Sequence, residues 1–244
     1  MRSMSDERRW CGRMLQSKSG LFNDATVDHF IATKHGWAWA AVHQMQPCPR
    51  VLETHAGYGW LTITYAMAGA RVSSIERDAG AAELCRANTD GLDVTVMHGD
   101  CMDVIKDLDL GSFDIIDIDP AGSPQPVLDQ VLNEARPRLL FVTAGEALHA
   151  RLNRVAQNPV MLARYPESWS ANWAALDRGA KEFGRRIVFA HIQQRVPGAN
   201  LIGYHIWPLT SSARLAVTWS DDLALPDVET ASFLAWRMAT GNLP

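Results

Sequence analysis

Short apolar runs rich in β-branched residues alternate with helix-like stretches along the chain, and this alternation restricts the possible folds more than any other feature. Five such runs are Arg50–Thr54, Arg71–Ile75, Val94–Met97, Phe113–Ile118 and Leu139–Thr143. Helix-like stretches separate them, and one of these, Val127–Ala135, places its apolar residues on a single face. Strand and helix in repetition predict a parallel sheet covered by helices on both faces.

Three later runs also have β character and can extend this sheet. They are Arg186–Gln193, Asn200–Trp207 and Ala213–Trp219, and the pattern alone does not assign which of them join. Nearer the start, apolar spacing predicts a helix from about Ala25 to Met45, with Asn23 or Asp24 as its N-cap.

The composition is that of a globular protein. The chain has 244 residues, 47% of them hydrophobic and 20% charged, which is enough for one large domain or two small ones. Its formal net charge of −4 argues against a protein that wraps duplex DNA, because many phosphate contacts require a basic surface. Any contact with nucleic acid is therefore expected from a local patch or a partner.

The cysteines argue against a zinc site or a disulfide framework. Cys11, Cys48, Cys85 and Cys101 lie far apart and form no CxxC pair. We therefore expect no metal and a reducing, cytoplasmic location. No apolar run has the length of a membrane-spanning helix, and the charged first residues do not resemble a signal peptide, so we expect no membrane association.

A carboxylate stands at the end of each of the first four predicted strands: Glu53, Glu76, Asp100 and Asp119. The carboxyl ends of parallel strands share one edge of a sheet, where ligands bind in open α/β folds. An acid at the second tip can accept both ribose hydroxyls of a nucleoside, and one at the third can accept from an adenine amino group. A single such acid is typical of a solvated loop, but four in series favour a nucleoside-containing ligand.

The first predicted strand leads into a glycine turn, "HAGYG", that contains Gly57 and Gly59. Glycine lets the backbone approach a ligand closely because it has no side chain, and it also adopts the positive φ of a tight turn. The position fits either use.

In this order, the strings "LETHAGYG", "SSIERD", "MHGD" and "DIIDIDPAGSP" resemble the class I S-adenosylmethionine-dependent methyltransferases, over the stretch from Pro49 to Ala144. The resemblance implies an α/β fold with a doubly wound, mostly parallel seven-stranded sheet of Rossmann-like type and an N-terminal helical segment. It also implies S-adenosyl-L-methionine as the cofactor. A nicotinamide dinucleotide is the alternative, although the turn lacks a full GxGxxG.

The same resemblance assigns residues to the cofactor. They are Glu53, Ala56, Gly57 and Gly59 at its methionine end, Glu76 at the ribose, and Asp100 with Cys101 beside the adenine. A preceding helix commonly covers this pocket in the class, so Lys18 and Phe22 are further candidates; a helix that only packs on the domain is the alternative. His55 replaces the usual first glycine of the turn, and the resemblance gives it no role.

The fourth strand ends in Asp119 and Pro120, which are the predicted catalytic residues. Methyltransferases of this class that act on exocyclic or amide nitrogens carry Asp or Asn and then Pro at this tip. A carboxylate and a backbone carbonyl that accept the two N–H groups of an aromatic amine draw its delocalised lone pair back toward the methyl donor. Asp117 points to the same side by strand alternation, and we expect it to support the loop.

The longer string "DIDPAGSP" resembles the tRNA guanine-N2 dimethyltransferases. Asp119, Pro120, Gly122, Ser123 and Pro124 match, whereas Ala121 stands where an aromatic residue is expected to stack on the target base. Another aromatic residue can take its place. The predicted substrate-binding residues are therefore Gly122, Ser123, Tyr165, Trp169, Tyr204 and Trp207, with core packing as the alternative for each aromatic ring.

The sequence thus predicts an N-methyltransferase for the amino group of a nucleobase, with RNA favoured over DNA as the partner. The alternatives are a binding subunit with the same fold and no activity of its own, or a methyltransferase for DNA adenine, protein amides or a small molecule. We expect a helical segment at 1–46 that covers the cofactor pocket, a cofactor-binding catalytic domain at 47–220, and a C-terminal tail at 221–244.

Overall fold

A computed structural model of the chain describes residues 25–45, 47–146, 156–176, 182–207 and 212–240. Lys18 and Phe22, two of the predicted cofactor contacts, lie outside these residues.

The described residues form a seven-stranded sheet in the order β3-β2-β1-β4-β5-β7-β6. The strands are β1 (Arg50–Glu53), β2 (Arg71–Glu76), β3 (Val94–His98), β4 (Ile115–Ile118), β5 (Leu139–Ala144), β6 (Asn200–Trp207) and β7 (Ser212–Thr218). The first five are parallel, and β7 lies antiparallel between β5 and β6. The predicted fold class, a doubly wound and mostly parallel sheet, is confirmed.

Helices cover both faces of the sheet. They are α1 (Ala25–Gln44), α2 (Trp60–Met67), α3 (Ala79–Asn88), α4 (Cys101–Val104), α5 (Gln125–Glu134), α6 (Pro159–Arg164), α7 (Pro166–Asn172), α8 (Ala190–Arg195) and α9 (Val228–Thr240). Neighbouring strand residues point to opposite faces, so Val51 packs with α1, α2 and α9, whereas Leu52 packs with α5, α7 and α8. Each face therefore has its own buried core.

One predicted strand is wrong. Residues 186–193 form the end of a π-helical turn, Gly184–Phe189, and the start of α8. Their buried residues include Ile187, Val188 and Ile192, a spacing that places them on one helical face against the core. The β-branched composition favoured a strand, but burial of this face decides the structure. The other two late runs join the sheet as β6 and β7.

The segment 221–244, predicted as a tail, contains α9, which packs on α1. The two helices approach so closely that a Cβ at Gly36 would lie 2.0 Å from the carbonyl oxygen of Ala231. The indole Nε1 of Trp37 donates to the carbonyl oxygen of Pro226 at 2.9 Å. The division of the chain into three parts stays a prediction. No helix in the described part of the chain combines the length and the hydropathy needed to cross a membrane.

Candidate active site

Glu53 is the last residue of β1, and its carboxylate is buried. It accepts a hydrogen bond of 2.5 Å from the hydroxyl of Thr62, in the first turn of α2. Burial raises the pKa of Glu53 well above its ordinary value, and the hydroxyl donor offsets this only in part. A cation that approached this side chain would lower that pKa.

The glycine turn after β1 has two glycines with different surroundings. Gly59, at φ 83°, precedes α2, and a Cβ there would lie 2.7 Å from the sulfur of Cys85. Gly57 has φ 54°, and a Cβ there would meet nothing within 4 Å. Packing therefore explains Gly59, whereas Gly57 borders open space that a ligand can fill. Ala56 is buried between them and the strand, and its N–H donates to the carbonyl oxygen of Ile75 at 2.9 Å.

The carboxylate of Glu76 ties the ends of β1 and β2 together. Its Oε2 accepts from the N–H of Gly57 at 2.7 Å, and its Oε1 accepts from the N–H of Asp78 at 2.8 Å. These two bonds fix the orientation of the carboxylate. A carboxylate has about four lone-pair sites, so acceptor capacity remains for a ligand.

At the tip of β3, Asp100 and Cys101 begin the short helix α4. The Asp100 side chain is exposed and caps the helix by accepting from the N–H of Met102 at 2.9 Å. Cys101 is buried, and burial raises the pKa of its thiol to about 12, so the thiol stays protonated. The pair offers one exposed acceptor beside a buried apolar surface.

The carboxylate of Asp119, at the tip of β4, is held by the ammonium group of Lys34 from α1. The Nζ of Lys34 donates to Oδ1 at 2.7 Å and to Oδ2 at 2.5 Å. Burial by itself raises the pKa of Asp119, but Lys34 and the guanidinium of Arg214 outweigh it and hold that pKa below its ordinary value. Asp119 is therefore ionised at neutral pH.

Two residues earlier, Asp117 is fully buried in a polar network. Arg214 of β7 binds it in a bidentate manner, at 2.6 Å and 3.1 Å, and the hydroxyl of Tyr65 donates to it at 2.6 Å. Arg214 also donates to the hydroxyl of Thr143 at 3.0 Å and stacks on the ring of Phe141. This network ties the end of β4 to α2 and β7, and support of the Asp119 loop by Asp117 stays a prediction.

The loop after Asp119 and Pro120 is braced by the end of β5. The carbonyl oxygen of Gly122 accepts from the N–H of Gly145 at 3.1 Å. The hydroxyl of Ser123 accepts from the N–H of Gln125 at 3.3 Å, at the start of α5. Ala121 is exposed. Ala121 thus exposes a small side chain at the position where an aromatic residue is expected in the tRNA guanine-N2 dimethyltransferases.

Two of the predicted substrate aromatics are core residues. Tyr165 and Trp169 are both 0% exposed, and the Tyr165 hydroxyl donates to the buried carboxylate of Glu146 at 2.6 Å. A ring without exposed surface has no face for a base, which corrects the expectation that these rings stack on substrate. They brace the region after β5 instead, which is the alternative use given above.

The other two predicted substrate aromatics lie on β6. Tyr204 is half-buried, and the guanidinium of Arg185 lies 4.5 Å from its ring centroid. Trp207 pairs with Ser212 of β7 at the end of the strand. Their role in substrate binding stays a prediction.

His55 takes a defined protonation state in the turn. The hydroxyl of Thr54 donates to the carbonyl oxygen of Asp117 at 3.0 Å, so it is left to accept from Nδ1 of His55 at 2.8 Å. Burial lowers the pKa of His55, and this outweighs the negative charge of Asp119, which acts to raise it. The ring is therefore neutral near pH 7. Within the described residues, no group of three or more His, Cys, Asp or Glu side chains could hold a metal ion.

Lys34 and Arg214 are the site residues that sequence reasoning missed. Lys34 lies in the predicted N-terminal helix and carries no motif. Arg214 had a usable signal, because "SARLAVT" is otherwise apolar or small, and a charged residue inside a buried strand requires a buried partner.

Two curated proteins named tRNA (guanine(26)-N(2))-dimethyltransferase are similar to part of the chain. The protein from Methanosphaerula palustris is 38% identical over a 96-residue alignment, which covers 35% of this chain and 24% of that protein. The protein from Halobacterium salinarum is 35% identical over 110 residues, which are 44% of this chain and 29% of that protein. The chain therefore spans less than a third of the length of either. No protein-family model matches the sequence.

Solved structures share the fold over most of the chain. Trm1 from Pyrococcus horikoshii, solved with S-adenosyl-L-methionine, has a TM-score of 0.59 at 20% identity and is matched over 84% of this chain and 58% of its own. A SAM-dependent methyltransferase from Agrobacterium tumefaciens has a TM-score of 0.50 at 15% identity, over 79% and 62%. At these identities the likeness concerns the fold. The chain thus has the class I methyltransferase fold and resembles, in part of its length, the tRNA guanine-N2 dimethyltransferases.

Proposed function

We propose that this chain binds S-adenosyl-L-methionine and methylates an exocyclic amino nitrogen of a nucleobase in RNA, with tRNA guanine as the substrate. The observation that carries the proposal is the Asp119–Pro120 pair at the tip of β4, where Lys34 donates to both oxygens of the Asp119 carboxylate. The neighbouring strand β1 ends in the glycine turn, so the two features lie side by side at the carboxyl edge of the sheet.

The residues around the glycine turn fit this cofactor. The open space at Gly57 leaves room for a ligand against the backbone. The fixed carboxylate of Glu76 keeps lone pairs for two ribose hydroxyls, and Asp100 offers an exposed acceptor for the adenine amino group. Glu53 is the acceptor for the ammonium of the methionine end. Ala56, Gly59 and Cys101 are proposed to form part of the walls of the cofactor pocket.

S-adenosylmethionine supplies an electrophilic methyl group. The amino nitrogen of a nucleobase is a weak nucleophile, because its lone pair is delocalised into the ring. Asp119 would accept an N–H of that nitrogen and orient its lone pair, which attacks the methyl carbon as the methyl–sulfur bond breaks and S-adenosylhomocysteine leaves. The carboxylate would also stabilise the positive charge that develops on nitrogen and accept the proton that the methylated nitrogen loses. The buried network of Asp117 and Arg214 keeps the tip of β4 rigid while this happens.

The choice of RNA is supported by the names of the curated relatives and by the "DPAGSP" string of this chain. Gly122 and Ser123 lie in the loop that follows Asp119 and are proposed to line the base pocket. Tyr204 supplies an aromatic surface that is partly exposed and carries a guanidinium on its ring. An aromatic ring and an arginine together suit a single-stranded or flipped base.

Methyl transfer from radiolabelled S-adenosylmethionine tests the proposal. The protein is incubated with unmodified tRNA transcripts, duplex DNA and a protein pool, and labelled RNA is digested to nucleosides for mass analysis. We expect label in RNA, on guanosine that has gained one or two methyl groups. Label in DNA or protein alone would contradict the RNA substrate. Cofactor binding without transfer to any pool would instead identify a binding subunit.

A further inference from the structure

His55, which has no role in the proposed function, lies beside Asp119 at the carboxyl edge of the sheet. Glu53 of β1 and Asp117 of β4 are register partners, and the N–H of Thr54 continues this pairing by donating to the carbonyl oxygen of Asp117 at 2.9 Å. Two residues beyond the partners, the two chains reach His55 and Asp119. Neighbouring strands are only about 4.8 Å apart, so the register places these two residues side by side.

The side chains of His55 and Asp119 also belong to the same face of the sheet. In extended chain, residues two apart point to the same side. Glu53 meets Thr62 of α2 and Asp119 meets Lys34 of α1, and these two helices pack on one face. Of the carboxylates that act on the His55 ring, Asp119 acts most strongly, which agrees with this placement.

One nitrogen of the His55 ring is occupied and the other is open. Nδ1 donates to the hydroxyl of Thr54, which itself donates to the carbonyl oxygen of Asp117. A neutral imidazole has a single N–H, so Nε2 carries a lone pair. Among the described contacts of this ring, no hydrogen bond reaches Nε2, and the residue is only partly buried. The site thus has a neutral acceptor next to the carboxylate of Asp119.

Two neighbouring acceptors fit one edge of guanine. On that edge the amino group at C2 and the N1–H are adjacent donors. In adenine and cytosine, by contrast, the ring nitrogen next to the amino group is an acceptor. Enzymes that act on a flipped base read it by hydrogen bonds to this edge. A lone pair that faces another acceptor instead of a donor is left unsatisfied, which costs binding free energy.

We propose that His55 is a specificity-determining residue, whose Nε2 accepts the N1–H of the target guanine while Asp119 accepts from the amino group. The inference rests on the proposed function, because it assumes a guanine substrate. Adenine or cytosine in the same orientation would set two lone pairs against each other and would be rejected. The residue that replaces the usual first glycine of the turn thereby selects the base.

Binding of two nucleotides in the presence of S-adenosylhomocysteine tests this selection without turnover. Guanosine monophosphate carries the N1–H. The monophosphate of 2-aminopurine riboside keeps the amino group at C2 but has a lone pair at N1. Fluorescence of the analogue gives its affinity, and its displacement gives the affinity of guanosine monophosphate. The wild type should bind guanosine monophosphate about tenfold more tightly, because only this base satisfies Nε2.

Three variants assign the preference to Nε2. His55→Phe keeps a ring and removes the acceptor, so the two nucleotides should bind equally. His55→Gln can present its amide oxygen near the position of Nε2 and should keep part of the preference. His43→Gln changes an exposed histidine in the last turn of α1 and should keep the preference of the wild type. All three should bind S-adenosylhomocysteine as the wild type does.

A fall in pH should reverse the preference of the wild type. Protonation makes Nε2 a donor, which suits N1 of the analogue and opposes the N1–H of guanine. Burial lowers the pKa of His55, and four carboxylates act to raise it: Asp119, Glu76, Asp117 and Asp100. Lys34 and Arg214 pair with two of them. All these groups remain in His55→Gln, whose preference should not reverse. NMR signals of the ring follow its protonation.

Several results would overturn the inference. They are equal affinity of the wild type for both nucleotides, no binding of either, a preference that survives protonation of His55, or the wild-type preference in His55→Phe. Loss of S-adenosylhomocysteine binding in His55→Phe with the preference unchanged would place His55 in the cofactor pocket instead. If guanosine in RNA is methylated but His55→Phe keeps the preference, the proposed function stands and the inference fails. If the preference behaves as expected but no RNA is methylated, the inference stands and the proposed function fails.

Discussion

The ends of β1 and β2 are held by hydrogen bonds from nearby backbone and hydroxyl groups, whereas the end of β4 is held by cations from distant parts of the chain. Thr62 lies nine residues from Glu53. Lys34 lies 85 residues from Asp119, and Arg214 lies 97 residues from Asp117. The ends of β1 and β2, which are proposed to bind the cofactor, are thus held by local contacts, whereas the end of β4, which is proposed to bind the methyl acceptor, depends on the completed fold.

This difference has a chemical counterpart. Glu53 is buried next to a neutral donor, so its pKa is raised, whereas the pKa of Asp119 is lowered by two cations that outweigh burial. In the proposed function, the ammonium of the cofactor would lower the pKa of Glu53 on binding. The end of β4, in contrast, already has two cations of the chain beside its carboxylates. Separate defects are therefore expected when each side is altered.

The largest effect on stability is expected from Arg214→Met. It leaves the buried Asp117 without its cation, and removal of one partner of a buried pair costs about 3–5 kcal/mol. Denaturant unfolding measures the loss. Adding Asp117→Asn should recover part of it, because the uncompensated charge is then gone. A single variant as stable as wild type would mean that the end of β4 does not depend on this network.

On the cofactor side, Glu76→Ala should weaken S-adenosylmethionine binding by about 1.5–3 kcal/mol, which is the worth of hydrogen bonds to a charged group. Isothermal titration calorimetry gives the affinity. Glu83→Ala, an exposed change on α3, serves as the matched control and should bind like wild type. Unchanged affinity in Glu76→Ala would show that the end of β2 does not hold the ribose.

Substitution of each glycine of the turn should distinguish an effect on packing from an effect on ligand access. Gly59→Ala places a Cβ against Cys85 at 2.7 Å in addition to its left-handed strain, so it should lower the free energy of unfolding. Gly57→Ala has open space and should carry only the strain of about 1–2 kcal/mol, yet it should also weaken cofactor binding. Thermal unfolding and calorimetry compare them. Equal effects of the two variants on cofactor affinity would remove the distinction.

The smallest effects are opposite pH dependences of stability. Asp119 has a lowered pKa, so its contribution is present above the ordinary carboxyl pKa and is lost as pH falls toward the folded value. Glu53 has a raised pKa, so its contribution is present below the ordinary value and is lost as pH rises through the folded one. Each proton changes stability by at most about 1.4 kcal/mol per pH unit. In a plot of the free energy of unfolding against pH, Asp119→Asn should remove the decrease seen at low pH, and Glu53→Gln should remove the decrease seen as pH rises. Loss of the same part of the curve in both variants would contradict the assigned directions of the pKa shifts.

Sequence reasoning reached the sheet and the strand-end carboxylates because both depend on local patterns. Alternation of runs predicts strands, and parallel strands bring Glu53, Glu76, Asp100 and Asp119 to one edge. The contacts of Asp119 with Lys34 are set by how α1 packs on the sheet, which no local pattern encodes. Likewise, residues 186–193 have strand composition, but their burial against the core makes them helical.

The aromatic residues show the same limit. Tyr165 and Trp169 fit a stacking role by type and by position after β5, but they are buried in the core. Whether a ring is exposed depends on all the segments that cover it, and composition cannot report that. Tyr204, on the edge strand β6, is only partly buried.

The central claim is that the carboxylate of Asp119 presents an amino nitrogen to the methyl donor, and the single-turnover rate of methyl transfer to tRNA tests it most directly. With saturating S-adenosylmethionine, Asp119→Ala should transfer the methyl group about 10²–10⁴ times more slowly than wild type, and Asp119→Asn should be impaired less, since it keeps one acceptor oxygen. Both variants should bind the cofactor as wild type does. Transfer by Asp119→Ala at the wild-type rate would contradict the account.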